Sequence, residues 1–326
     1  MYPSNHGLIH NQFYDRQLDD VYKMGKAQQQ PLWLQATPLW TYAEQHQVRT
    51  ATYFWPESDA EVDGVLPTYY FPYNKLTPYQ ERIDQIISWL KLPEEKRPQF
   101  ITGYFSLVDS MGHKFGPDSK EVSDAVTYVD RYIGRLKKRL EQEIDFPVNL
   151  VIVSDHGMVE THSNRKIQVS SLLNLDDFKT IVSSTQLMLY AKEGIEQTRI
   201  TQVAEHLNTQ SQGRYSSYTK TQWPGILHYN NNDRIPDIVL EPIPPITFTD
   251  KRVVPDIVSG THGFNPYTVP EMGAIFIANG PDFKQGMIIP AFENIHVFPV
   301  LIRLLGLAMP DNVDADPKVL ESIFIN

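Results

Sequence analysis

The feature that most constrains the fold is an apolar strand, an amphipathic helix and a second apolar strand in direct succession. Residues 99–108 (QFITGYFSLV) are predicted as a buried strand, and residues 119–143 carry apolar side chains at helical spacing. Residues 149–153 (NLVIV) form the second strand. This order is typical of a parallel sheet covered by helices. We therefore predict an α/β fold with a mostly parallel sheet flanked by helices.

Elements on either side extend this pattern. Residues 79–92 have the spacing of an amphipathic helix, residues 273–278 (GAIFIA) resume the main sheet, and residues 293–305 form a last helix. Residues 1–76 are rich in aromatic residues, Pro and Asn and are predicted to be irregular.

The chain between these elements has a different character. Residues 163–258 hold short predicted strands around one helix, which indicates a smaller α+β insertion. We therefore predict a catalytic α/β domain formed by residues 1–162 and 259–326, with an inserted α+β subdomain at 163–258.

Composition excludes several classes of protein. The chain has no cysteine, which excludes disulfides and Cys-rich zinc sites. Its net charge is −10 without a dense run of Lys or Arg, so we expect no binding to a nucleic-acid duplex. No apolar stretch reaches the roughly 18 residues of a membrane span, and the first residues show no signal-peptide pattern.

Three clusters of carboxylate and imidazole side chains adjoin predicted strands. Asp109 and His113 follow the first strand, Asp155 and His156 follow the second, and His262 precedes the strand GAIFIA. Ligands bind α/β sheets beyond the carboxyl ends of the strands, and this donor set suits zinc or a similar divalent ion. Each cluster alone is weak evidence, since such residues are common in turns and at surfaces, but together they predict a metal site.

The surrounding motifs resemble the ectonucleotide pyrophosphatase/phosphodiesterase family within the alkaline phosphatase superfamily, over nearly the whole chain. The segment YPSNHG with Asn11 and the pair YD is similar to the family's YPESHG…N…YD, and FWPES is similar to its WPGS with Glu57 in place of Gly. Tyr73-Asn74 and the following Pro, Glu-Arg and Trp-Leu match another stretch. DSMGHKFGP, SDHGM, THGF and GPDF complete the resemblance.

The resemblance implies an alkaline-phosphatase-like fold, two zinc ions and roles for seven residues. One zinc ion would be held by Asp109, His113 and His262, and the other by Asp155 and His156. Asn11 would donate a hydrogen bond to a phosphoryl oxygen, and Tyr73 would stack on a nucleobase or another leaving portion. The alternatives are a turn-forming role for Asn11 and ordinary packing for Tyr73.

The chain departs from the family pattern at its start. In the family, a strand with a metal-binding Asp and a loop with a Thr nucleophile precede the YPESHG segment, which here begins at Tyr2. We therefore expect an N-terminally truncated chain whose second zinc site is incomplete. The resemblance implies hydrolysis of phosphodiester or pyrophosphate bonds through a covalent threonine intermediate, which this chain would perform poorly or not at all.

Partners and location also follow from the resemblance. We expect a small nucleotide or another phosphodiester as substrate, and a periplasmic or extracellular location for the full-length protein. The sequence does not distinguish nucleotides, dinucleoside polyphosphates and choline-type phosphodiesters, or define the oligomeric state.

Three alternatives stay open at this point. The chain is an inactive relative that binds metal or phosphate, another hydrolase of the superfamily acting on phosphomonoesters, phosphonates or sulfates, or an extracellular binding domain. The FWPES segment and Tyr73-Asn74 favour the diesterase branch. Five candidate metal ligands argue against a binding domain without catalytic function.

Overall fold

The computed structural model describes residues 1–172, 175–253 and 256–325. Its helices are α1 (Pro3–His6), α2 (Leu39–Gln45), α3 (Tyr79–Leu90), α4 (Leu107–Phe115), α5 (Lys120–Glu143), α6 (Gln197–Ser211) and α7 (Val297–Leu304). Its strands are β1 (Gln12–Asp15), β2 (Asp20–Lys23), β3 (Thr50–Tyr53), β4 (Tyr69–Phe71), β5 (Phe100–Gly103), β6 (Leu150–Val153), β7 (Val159–His162), β8 (Lys166–Gln168), β9 (Phe178–Val182), β10 (Leu187–Ala191), β11 (Tyr215–Thr219), β12 (Ile238–Pro242), β13 (Thr247–Thr249), β14 (Val258–Thr261) and β15 (Phe276–Asn279).

Parallel strands flanked by helices form the α/β part, as predicted. β3 lies between β4 and β5, and all three run parallel. Helix α3 covers this sheet with the residues of its predicted apolar face, and these also contact α5 through Leu136. Ser119 begins α5, where its Oγ accepts the N–H of Val122 at 3.3 Å. This N-cap satisfies one of the backbone donors that a helix start leaves free.

The strand predicted at residues 273–278 lies slightly later in the chain, as β15. It pairs antiparallel with β6, with Phe276 opposite Val153. One face of this pair packs on a core that includes Val300 of α7 and two phenylalanines near the C-terminal end, Phe283 and Phe324. The sheets of the structure are therefore mixed, with antiparallel pairing at this position.

The predicted insertion contains a four-stranded antiparallel sheet in the order β11-β12-β10-β9. Helix α6 packs on one face of the sheet. The opposite face shares a core with the N-terminal segment, in which Phe13 and Trp33 contact residues of the β10 and β12 strands. The division into 1–162 with 259–326 and 163–258 stays a prediction, and the first 35 residues bury side chains against the predicted insertion.

The prediction of irregular structure for residues 1–76 was wrong in part. β1 and β2 form an antiparallel hairpin there, and β3 is an inner strand of the parallel sheet. Because both faces of β3 are covered, all four of its residues are buried and no alternating pattern appears in the sequence.

The strand predicted at residues 99–108 is shorter than expected, because helix α4 begins at Leu107. The N–H of Leu107 donates to the hydroxyl of Tyr79 at 2.8 Å, and this tertiary contact satisfies a donor at the helix start. Asp109 consequently lies in the first turn of a helix. No helix in the described residues is long and apolar enough to cross a membrane.

Candidate metal centre

Three segments bring the predicted ligands together. Helix α4 carries Asp109 and His113, which are four residues apart and therefore lie on one face. β14 pairs antiparallel with β7, with Thr261 opposite Val159. This pairing places His262, which follows β14, beside the loop that carries Asp155 and His156.

Asp109, His113 and His262 form a close triangle of donor atoms. Nε2 of His113 lies 3.3 Å from Oδ1 of Asp109, and Nε2 of His262 lies 3.7 Å from the same oxygen. The two Nε2 atoms are 3.2 Å apart. Around a tetrahedral zinc ion, ligand atoms about 2.0–2.1 Å from the metal are roughly 3.3–3.4 Å from one another. The spacing of the triangle fits such an ion.

Backbone carbonyls orient two of the imidazoles. Nδ1 of His113 lies 2.9 Å from the carbonyl oxygen of Gly260, and Nδ1 of His156 lies 2.8 Å from that of Gly157. A ring that donates its Nδ1–H to a carbonyl has, when neutral, a free lone pair on Nε2. This arrangement is typical of metal-binding histidines.

Asp155 and His156 lie beside the triangle. The rings of His156 and His262 stack with centroids 3.5 Å apart, and Nε2 of His156 lies 3.4 Å from Oδ2 of Asp155. Donor atoms of Asp109, His156 and His262 all lie within 4.8 Å of one another. All five predicted ligands therefore belong to one cluster, and their division between two ions stays a prediction.

Burial and neighbouring groups shift the pKa values in the cluster. Burial, reinforced by the neighbouring His156, lowers the pKa of His262 to about 4. Burial alone would raise the pKa of Asp109, but the contact with His113 and the surrounding imidazoles lower it overall. The same contact raises the pKa of His113 against the effect of burial. Near neutral pH the cluster thus presents an anionic carboxylate and an uncharged His262.

The donor atoms fit a bound cation. Oδ1 of Asp109 is buried and accepts no hydrogen bond. It faces two Nε2 atoms, and that of His113 carries a lone pair when the neutral ring donates from Nδ1. Such acceptors repel one another unless a proton or a cation lies between them. Carboxylate and imidazole donors suit zinc among the common divalent ions.

Tyr73 reaches this site through two residues that the sequence interpretation missed. Its hydroxyl lies 3.0 Å from Oγ of Ser106, the residue directly before α4, and its ring meets that of Tyr104 edge-on at 5.9 Å. Burial raises the pKa of Tyr104 to about 12, and the charges of Asp155 and Asp109 add to this effect. Tyr104 therefore lies close to Tyr73 and near the two carboxylates. Its position five residues before Asp109 was the sequence feature from which a place near the site could have been predicted.

The buried side chain of Arg82 packs against the aromatic residues around Tyr73. Its guanidinium lies 5.0 Å from the ring centroid of Phe54 and 4.5 Å from that of Tyr79, and it donates to the carbonyl of Tyr104. Phe54 has a φ of 62°, which is rare for a bulky residue and is found where surrounding packing imposes it. Phe54 also meets the ring of Tyr73 at 5.8 Å.

Asn11 lies exposed immediately before β1. Its backbone carbonyl accepts the N–H of Met24 at 3.2 Å, which helps to join the two strands of the hairpin. This contact concerns the backbone, so the predicted role of its side chain stays a prediction.

The chain is similar in sequence to proteins of a known family. A sequence model described as type I phosphodiesterase/nucleotide pyrophosphatase matches residues 1–265. The chain belongs to this family. It is 34% identical over 322 residues to rat ectonucleotide pyrophosphatase/phosphodiesterase family member 1, an alignment that covers 96% of the chain. It is 31% identical over 325 residues to venom phosphodiesterase 2 of Crotalus adamanteus, again over 96% of the chain.

Solved structures of the type I phosphodiesterase family share the fold. Murine ectonucleotide pyrophosphatase/phosphodiesterase 5, described as an inactive threonine-to-alanine variant in complex with AMP, matches with a TM-score of 0.88 at 26% identity. The human protein of that name matches with a TM-score of 0.89. Both matches cover 100% of this chain and 85% of the other. The predicted alkaline-phosphatase-like α/β fold is thus confirmed.

The chain spans only part of its curated relatives. The alignments cover 35% of the length of the rat protein and 39% of that of the venom enzyme.

Proposed function

We propose that this chain provides the metal-binding and nucleotide-binding part of a phosphodiesterase that hydrolyses phosphodiester or pyrophosphate bonds in small nucleotides. The observation that carries the proposal is the convergence of Asp109 Oδ1, His113 Nε2 and His262 Nε2 within 3.2–3.7 Å of one another. Membership of a family described as phosphodiesterases and nucleotide pyrophosphatases supports it.

The five ligands are proposed to hold two zinc ions. Asp109, His113 and His262 would bind one ion, and Asp155 and His156 would contribute to the other. When bound, such ions supply positive charge that polarises a phosphoryl group. The chain has a net charge of −10, so an anionic substrate needs this local positive charge to bind.

Other side chains would bind and orient the substrate. Tyr73 is half exposed, and Ser106, Tyr104 and Phe54 fix the position of its ring, so it offers a pre-organised surface on which a nucleobase can stack. Asn11 is exposed and is proposed to donate its amide N–H to a phosphoryl oxygen. An AMP complex of the murine relative supports a nucleotide ligand.

The covalent step is proposed to use a threonine, as the resemblance implies. The murine relative whose threonine is replaced by alanine is described as inactive. No residue among the 326 matches the threonine of the family pattern. A location outside the cytoplasm is proposed by analogy with relatives named as an ectoenzyme and as a venom enzyme.

Zinc-dependent binding of AMP tests the proposed function without requiring turnover. Calorimetric titration of the full chain with AMP is expected to show binding in the presence of zinc and a loss of at least about tenfold in affinity for Asp109→Asn. Adenosine, which lacks the phosphate, is expected to bind at least about tenfold more weakly. The exposed His206→Asn variant serves as the control. An affinity for AMP that changes neither with zinc nor with the Asp109→Asn substitution would contradict the proposal.

Hydrolysis assays then test the threonine prediction and the substrate class. With zinc, the chain is expected to cleave the nitrophenyl ester of thymidine monophosphate slowly if the threonine lies upstream of Met1. Rapid cleavage would place the nucleophile within residues 1–326. Preferential cleavage of nitrophenyl phosphate would identify a phosphomonoesterase instead.

A further inference from the structure

Met158 lies where the three ligand-bearing segments meet. A Cβ atom placed on Gly112 of α4 would be 2.3 Å from the sulfur of Met158, and one placed on Gly260 of β14 would be 2.6 Å from the same sulfur. Real Cβ atoms essentially never approach other heavy atoms so closely, so a larger residue at either position would force the Met158 side chain to shift. The thioether is thus packed between the helix that carries Asp109 and His113 and the strand that precedes His262.

The backbone of the same loop is held on its other side. The N–H of Gly157 donates to the carbonyl of Met272 at 3.0 Å, and a Cβ on Gly157 would be 2.0 Å from the carbonyl oxygen of Glu271. The loop that bears Asp155, His156 and Met158 therefore cannot move away from the segment around Met272 without breaking a hydrogen bond. The side chain of Met158 thus extends from this loop to the place where α4 and β14 meet.

Helix α4 and strand β14 also touch directly at this point. A Cβ on Gly260 would lie 2.5 Å from the carbonyl oxygen of Gly112, and the carbonyl of Gly260 contacts Nδ1 of His113. The separation of these two elements fixes the distance between Nε2 of His113 and Nε2 of His262, which is 3.2 Å. A shift of a few tenths of an ångström is enough to spoil the geometry that zinc requires.

We propose that Met158 is a positioning residue that sets the separation of α4 and β14, and thereby the spacing of the metal ligands. The proposal rests on the proposed metal centre. Met158 binds neither metal nor substrate in this account. Its thioether is unbranched and polarisable, which suits it to fill a narrow gap between two backbones.

A cycle of substitutions tests this role. Gly112→Ala is expected to lower zinc affinity by at least about tenfold, in the range of changes that residues supporting metal ligands cause, because the new methyl group competes with the Met158 sulfur for the same space. Met158→Ala removes the thioether between the two elements, so this variant alone is also expected to lower zinc affinity. The double variant Gly112→Ala/Met158→Ala, in which the new methyl group fills part of the vacated space, is expected to bind zinc more tightly than Gly112→Ala. Zinc affinity is measured by competition with a chromogenic chelator, and thermal unfolding without metal reports folding separately.

Two further glycine variants serve as comparisons for Gly112→Ala. Gly260→Ala is expected to lower zinc affinity without recovery by Met158→Ala, because its methyl group also meets the backbone carbonyl of Gly112. Gly134→Ala is the matched control, because this helical glycine has nothing within 4 Å of an added Cβ. Its zinc affinity is expected to equal that of the wild type.

The outcomes separate this proposal from the proposed function. If the wild-type chain binds zinc through Asp109 but a folded Met158→Ala or Gly112→Ala variant binds it equally well, or if the double variant binds zinc no better than Gly112→Ala, the positioning role of Met158 is wrong. If the folded wild type does not bind zinc at all, the metal centre itself is wrong. Recovery in the double variant, with Gly134→Ala unchanged, supports the role of Met158.

Discussion

Arg234 shows how a single buried charge joins the N-terminal segment to the rest of the chain. Its side chain is 3% exposed, and Nε donates to Oδ2 of Asp15 at 2.6 Å. Its remaining nitrogens donate to the carbonyls of Gly7, Leu32 and Trp33. One guanidinium thus satisfies four acceptors from the first 35 residues. Burial of the pair is tolerable only because every partner is present.

Removing this guanidinium is expected to be costly. Arg234→Ala leaves Asp15 buried without a counter-ion, so we expect the free energy of unfolding to fall by about 3–5 kcal/mol. Lys120→Ala is the control, since the ion pair of Lys120 with Asp124 is exposed and its loss is expected to leave the free energy of unfolding nearly unchanged. Urea unfolding measures both values. A loss below about 1 kcal/mol for Arg234→Ala would contradict the account.

Two histidines in the segment from α1 to β1 are expected to make the stability of the chain depend on pH. Burial lowers the pKa of His6 and of His10 to about 4. Nδ1 of each ring accepts a backbone N–H, from Leu8 and Gln12 respectively, which requires an unprotonated nitrogen. The unfolded chain binds protons at these residues below a pH of about 6.5, whereas the folded chain does so only near 4.

Stability is therefore expected to fall as the pH decreases from about 6.5 to 4. Each of these two partly buried histidines contributes a slope of up to about 1.4 kcal/mol per pH unit in that window, and His262 adds to it. Urea unfolding at pH 7.5, 5.5 and 4.5 measures the slope. The variant His6→Gln/His10→Gln is expected to show a shallower slope, whereas exposed His206→Gln should not change it. Equal slopes for all three proteins would refute this assignment.

The elements show what the sequence could and could not predict. Helices α3 and α5 were predicted within two residues at each end, because their apolar positions follow the helical period. β3 was missed, because a short strand that is buried on both faces has no alternation. The start of α4 depends on the hydroxyl of Tyr79, a tertiary contact that no local pattern contains.

At the candidate metal centre too, residues with a local sequence pattern were predicted and residues that act through tertiary contacts were not. Asp109, His113, Asp155, His156 and His262 were found because their residue types and Gly-rich surroundings indicate metal ligands, and the structure brings them into one cluster. Ser106 and Tyr104 are not metal-ligand residue types, and Met158 entered only as the last residue of the SDHGM motif. Their part in the site consists of contacts with residues distant in the chain. Asn11 and the roles of the five ligands stay predictions.

The α/β part of the molecule exposes strand edges. Among the described residues, β5 pairs only with β3, and β6 pairs only with β15. β6 has four apolar residues, none of which is fully buried, and Ile277 of β15 is 52% exposed. Unpaired apolar edges are templates for association with other chains. We therefore expect marginal stability and a tendency to aggregate.

A charge on this sheet is expected to reduce aggregation. Ile277→Lys places a cation on an exposed strand position, and we expect light scattering at elevated temperature to decrease by at least about twofold. Ile288→Lys is the matched control, because Ile288 is 96% exposed but lies outside the strands. An equal or larger effect of Ile288→Lys would indicate that the sheet edges are not the sites of association.

The amount of zinc that the chain retains shows whether the cluster around Asp109 binds metal. Purified chain is dialysed against buffered zinc, and its metal content is measured by mass spectrometry. We expect at least one zinc ion per chain for the wild type and for His206→Asn, and a clear loss for Asp109→Asn and His262→Asn. A folded wild type without zinc, or equal zinc content in all four proteins, would contradict it.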